Sequence, residues 1–153
     1  MVTGPVQQPT ILARPPAARP HPGALPDDLR AFAVALAVPP TEPRWRECVL
    51  SRLRPVGQGF VEHVRSTEGA SGLYRELLAH SPRLDRRVRL LTREHTAILA
   101  AILTVQRAAE QPDACAEELR GRAGLLLRAL ARHRQRGADL LWQAYQTDLG
   151  GET

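Results

Sequence analysis

Lysine is missing from this chain. All 21 basic side chains are arginines, set against 16 acidic ones for a formal net charge of +5. An exclusive use of Arg beside frequent Ala and Leu reads as the imprint of a GC-rich genome rather than of a selected site. Cysteine is nearly missing too: Cys48 and Cys115 are too few for a disulfide framework or a thiolate zinc site. Aromatic residues make up 4% of the chain, and no helix-turn-helix or RNA-binding signature accompanies its charge, so nucleic acid is not the expected partner. No apolar run approaches the roughly 18 to 20 residues that cross a bilayer. The start, MVTGPVQQPTILARPP, lacks the charge and continuous apolar stretch of a secretory signal. The expected location is cytoplasmic, with no membrane partner. Strand signals are absent, with few β-branched runs, no period-2 alternation and no Asn-Gly turn. A Ser/His/Asp arrangement, a phosphate-binding glycine loop and a dinucleotide fingerprint are also lacking, which leaves hydrolase and nucleotide chemistry without support.

What is present is helical periodicity behind a proline-rich start. Ten of the 13 prolines fall within residues 1–43 of the 153. Residues 1–26 have the composition of a disordered tail, and residues 27–153 that of one helical domain. Asp27 or Asp28 can cap a short helix through Val38, stopped by Pro39, Pro40 and Pro43. Three apolar seams follow, each stepping four then three residues: Val49, Leu53, Val56, Phe60, His63, Thr67; then Leu84, Val88, Leu91, His95, Ile98, Ile102, Val105; then Leu119, Ala123, Leu126, Leu130, His133, Gly137, Leu140, Ala144. Such alternation keeps one stripe facing a partner helix. Ser81-Pro82 and Asp113 are candidate N-caps, and Gly150-Gly151 a stop. Helices are therefore expected near 82–110 and 113–148, antiparallel across the tight turn at Pro112. Pro55 either kinks a helix over about 44–68 or starts a new one. The fold expected is an all-α, antiparallel up-down four-helix bundle.

Three seam positions hold histidine where a bundle normally places Leu or Ile. Burying an imidazole without partners costs roughly 1 to 3 kcal/mol per unsatisfied group, so hydrogen bonds, water or a metal should meet His63, His95 and His133. Counted from Pro112, His95 and His133 lie about 25 and 31 Å along their helices at about 1.5 Å per residue, within about one turn of a common level. Neutral imidazoles converging inside a bundle suit iron, zinc or manganese when carboxylates join them. Glu68 and Asp139 are the candidate carboxylates; Glu62 and Glu94 precede their histidines by one residue and should mostly point away. His80 is expected to be exposed and His21, in the proline-rich tail, solvated.

Phe60-Val61-Glu62-His63-Val64-Arg65-Ser66-Thr67-Glu68, followed by Gly72-Leu73-Tyr74, resembles the second-helix motif of hemerythrin-like proteins, the His-His-Glu cation-binding family. Leu91-Thr92-Arg93-Glu94-His95-Thr96-Ala97-Ile98 is similar to that family's third-helix pattern, and Leu130-Ala131-Arg132-His133 with Leu140-Leu141 to its fourth-helix segment. The resemblance spans about residues 57–148. It implies an antiparallel four-helix bundle holding two non-heme irons, used for oxygen binding, oxygen or nitric oxide sensing, or iron handling. Thr67 stands where the family places a bridging glutamate, with Glu68 one position later. Leu91 and Leu99 flank His95 where a second histidine is usual, and Gly137 and Ala138 precede Asp139. The ligand set implied is thus a reduced one: His63, Glu68, His95 and His133.

Two further features complete the reading. Residues 44–110 hold 12 Arg against 7 acidic residues, with Arg83, Arg86, Arg87, Arg89 and Arg93 on one helix start, a pattern best read as a solvated face. Trp142 and Tyr145 share a helix face. Packing at the end of the bundle is their expected role, with a protein partner or a second copy as the other use of that face. The alternative to metal binding is a metal-free helical adaptor or regulatory interaction protein.

Overall fold

The computed structural model describes residues 24–146. Every regular element among them is helical: α1 (Ala24–Ala37), α2 (Trp45–Glu68), α3 (Leu73–His80), a 3-10 turn (Pro82–Leu84), α4 (Asp85–Glu110) and α5 (Ala116–Gln146). Helix α1 packs on α2 and α5, α2 on α4, α4 on α5, and the short α3 on α2. Among the described residues no helix is long and apolar enough to cross a membrane.

The four-then-three seams become the buried faces. Trp45, Val49, Leu53, Val56, Phe60 and Thr67 are the buried residues of α2. Val88, Leu91, His95, Ile98, Ile102, Val105 and Ala109 line α4, while Leu119, Ala123, Leu126, Leu130, His133, Leu140 and Ala144 line α5. This burial, rather than propensity, is what holds long helices together in water. The apolar interior is divided in two. The larger cluster joins α1, α2, α4 and α5 through Phe32, Leu53, Phe60, Ile98, Leu126 and Leu130. The smaller one joins Tyr74, Leu77, Leu84, Val88, Leu91, Leu140 and Ala144. Along α4 and α5 the histidines fall between the two, with Leu91 and Ile98 on either side of His95 and Leu130 and Leu140 on either side of His133.

Element ends differ from expectation in physically explicable ways. Helix α1 begins at Ala24, ahead of Asp27 and Asp28, so the division at residue 26 falls inside it. Proline is tolerated in a first turn because its missing N–H had no helical partner to lose; the helix runs through Pro26, and Asp27 sits in the first turn, where the macrodipole favours it. Ser81 makes no side-chain cap. Its carbonyl instead accepts the Leu84 N–H at 3.0 Å, closing the 3-10 turn that precedes α4. Asp113 lies in the turn closed by the Ala114 N–H and the Gln111 carbonyl, three residues before α5 starts. The rest of the proline-rich tail, His21 and Gly150-Gly151 lie outside the described residues.

Between α2 and α3 the chain doubles back so closely that a Cβ on Gly72 would stand 2.6 Å from the Thr67 carbonyl oxygen. Only glycine fits that approach, and the turn it permits returns Tyr74 to the side of α2. Pro55 neither ends nor restarts a helix: α2 continues through it. An interior proline removes one backbone hydrogen bond and crowds the preceding turn, a penalty of about 3 kcal/mol in an unconstrained helix. Pro55→Ala is therefore expected to stabilise the protein by roughly 1 to 3 kcal/mol, read as a higher urea midpoint at unchanged slope. An unchanged or lower midpoint would show that α2 needs proline at this position.

Candidate metal centre

His63 on α2, His95 on α4 and His133 on α5 meet in one layer. Their ring centroids are 5.1 Å (His63–His95), 5.4 Å (His63–His133) and 4.7 Å (His95–His133) apart. Phe60, one turn before His63, stands 5.6 to 5.7 Å from all three and forms a common wall. The levels agree better than a count from Pro112 suggests, because the helices do not reach the proline. His95 is 15 residues before Glu110 and His133 is 17 after Ala116, a difference of about 3 Å.

Each ring is oriented by a polar partner. The Nδ1–H of His95 donates to Glu68 Oε1 at 2.5 Å, and that of His133 to Glu94 Oε2 at 2.8 Å. Arg136, one turn beyond His133, forms an ion pair with the other oxygen of Glu94. With Nδ1 used in this way, the Nε2 atoms of His95 and His133 carry the free lone pairs. His133 Nε2 lies 3.2 Å from His63 Nε2, which places the shared proton on His63. The Tyr74 hydroxyl is 3.4 Å from His95 Nε2. One nitrogen from each of the three rings can be chosen so that all lie within 4.8 Å of one another.

The electrostatics favour neutral, lone-pair-bearing rings. Burial, reinforced by the neighbouring His95 and His133, pushes His63 down from 6.5 to about 4, with Glu68 opposing. Burial also lowers His95 against the pull of Glu68, and lowers His133. The Tyr74 phenol is pushed up to about 12 by burial, with the Thr67 hydroxyl opposing and the Glu68 charge adding to the rise. It therefore stays a donor. His95 and His133 are 1% and 5% exposed.

Of the residues marked in the sequence, His63, His95 and His133 come together, and Glu68 joins them by holding His95. Asp139 does not; its carboxylate accepts from the Gln135 side chain on the exposed face. Glu62 faces solvent beside Arg65, and His80 is exposed, its Nδ1–H on the Glu76 carbonyl at 3.0 Å. The expectation that Glu94 points away is corrected. Stepping about 100° from His95 turns Glu94 out of its own helix's seam but toward α5, where His133 and Arg136 receive it. The signal available was the His133/Arg136 pair at i, i+3, a donor and a cation that need one acid between them. Trp142 and Tyr145, expected to be packed, are 62% and 66% exposed, because the buried stripe of α5 at that end runs through Leu140 and Ala144.

Beside the histidines is a cavity of about 290 Å³, lined by His63, His133, Thr67 and Tyr74 together with side chains from α1, α3 and α5. Compared with family models, with curated proteins and with solved structures, the chain shows no match in any of the three.

A base whose folded pKa lies below its unfolded value takes up a proton on unfolding, so folding loses ground as pH falls through that interval. For His63 the interval runs from 6.5 down to about 4. Urea midpoints of the metal-free protein should fall on acidification through this window, and His63→Leu should make the fall shallower. An equally steep fall in the variant would mean that carboxylates outside the layer cause it.

Proposed function

We propose that this protein binds a single transition-metal ion, iron in the first instance, through His63, His95 and His133. The observation that carries the reading is the convergence of three neutral imidazoles, with one nitrogen of each within 4.8 Å of the others, while Glu68 and Glu94 hold two of the rings by Nδ1. Carboxylates in that position fix the tautomer and raise the basicity of the metal-facing nitrogen. An imidazole set suits iron, zinc, copper or nickel and is wrong for calcium or magnesium, which take oxygen. Two nitrogens on one ion at about 2.1 Å stand at most about 4.2 Å apart, so small ring rotations from the present separations complete the grip. Glu68 acts here through His95, with its second oxygen still free to approach the ion.

We propose that α1, α2, α4 and α5 are the four rods of an antiparallel up-down bundle of the hemerythrin-like kind, with a reduced ligand set. Three histidines support one ion rather than two. Oxygen or nitric oxide sensing and iron handling are the roles that resemblance suggests, because an ion held by three neutral ligands keeps coordination positions open. A metal-free adaptor is the second reading, favoured by the exposed Trp142 and Tyr145 at one end of α5.

The test is elemental analysis after anaerobic loading with iron(II) and desalting. About one equivalent per chain is expected, with a thermal midpoint that drops on chelation. Glu94→Gln, which leaves all three imidazoles in place, should weaken metal binding by about 10- to 100-fold. Replacing the three histidines together with Leu should abolish binding and leave the helical signal intact. Less than about a tenth of an equivalent of iron, zinc or manganese, with a midpoint indifferent to chelator, would overturn metal binding and leave the adaptor.

A further inference from the structure

The cavity beside the histidines has a composition of its own. Its walls are mostly apolar, supplied by Leu25 and Leu29 of α1, Leu73 of α3, and Leu130, Leu140 and Leu141 of α5. Its polar groups gather at one region: His63, His133, the Thr67 hydroxyl and the Tyr74 phenol. Among the described residues one guanidinium, that of the exposed Arg134, stands at its edge. Unlike Arg136, it has no carboxylate partner among the described residues. The volume of about 290 Å³ is that of roughly ten water molecules, at the small end of ligand pockets.

Charge then narrows the occupant. Three neutral imidazoles leave the full charge of a divalent ion uncompensated. Glu68 offsets one unit, while the charge of Glu94 is itself offset by Arg136. One positive charge remains, next to an apolar chamber with a free arginine at its edge. Resting on the metal reading above, we infer that this cavity binds a compact organic monocarboxylate. Its carboxylate lies on the histidine side and completes the ion's coordination, its apolar body fills the leucine-walled space, and Arg134 attracts it at the entrance.

Gly137 supplies an independent handle. It lines the cavity from α5, and a Cβ built there meets no atom within 4 Å. A side chain added at this lining position therefore starts in open space, and removing a mid-helix glycine should not weaken α5.

The experiment uses the full chain loaded with cobalt(II), whose visible bands report a change of coordination, titrated with benzoate, acetate and benzamide. Benzoate is expected to shift the cobalt bands and to bind at least tenfold more tightly than acetate, with benzamide ineffective. Gly137→Leu should bind cobalt as the wild type does but lose benzoate by tenfold or more. Arg134→Gln should weaken benzoate several-fold and reduce the salt dependence of its binding. Equal affinities for benzoate and acetate, or unchanged benzoate binding in Gly137→Leu, would overturn the inference while metal binding stands. Failure to take up cobalt at all would overturn both.

Discussion

The structure depends on one arrangement: three imidazoles in a single layer that interrupts an otherwise apolar interior. A hydrocarbon core gains nothing from such a layer. Each ring brings two nitrogens into a region where an unpartnered polar atom costs roughly 1 to 3 kcal/mol. Leucine at the same seam positions would join the two apolar clusters into one. The layer persists because its polar atoms are nearly all engaged, His95 by Glu68, His133 by Glu94, and His63 against His133.

From that constraint the placement of other residues follows. Glu94 leaves the seam of α4 to reach α5, and Arg136 sits one turn beyond His133 to neutralise it. Glu68 lies at the last residue of α2, where the helix end lets its side chain reach across to α4. The tight turn at Gly72 brings Tyr74 to within 3.4 Å of His95. The two orienting acids are not equivalent. Glu94 is one-sixth exposed and paired with an arginine, whereas Glu68 is one-third exposed and has no such partner among the described residues. The two histidines therefore meet different fields although the geometry treats them alike, and His95 should be the stronger donor to a cation.

The same layer gives the neighbouring cavity its character. Packed seams normally fill the space between helices, but at this level an imidazole replaces a bulkier apolar side chain on each of the three seams, and a glycine, Gly137, follows on the third. Space, apolar walls and a polar end therefore occur together. This coincidence connects the packing of the fold to what the site can accommodate.

The helical class, the three buried faces and the shared level of His95 and His133 were legible in the amino-acid sequence, because a repeat of four and three residues encodes one stripe per helix. The level of His63 was not, because the break at residues 69–72 interrupts the count, and the tertiary structure supplied it. Local chemistry also marked Pro39 and Pro112 as breaks. What the sequence left open were quantities fixed between elements rather than along them. Whether Pro55 breaks α2 was decided by the packing on either side of it. The direction of Glu94 was decided by which helix lies next to α4, and the exposure of Trp142 and Tyr145 by where the stripe of α5 finds a partner. A side chain off the seam has no period to announce its target. Only the tertiary arrangement, by placing Arg136 and His133 opposite, turned an acid that should have met solvent into the support of a buried imidazole.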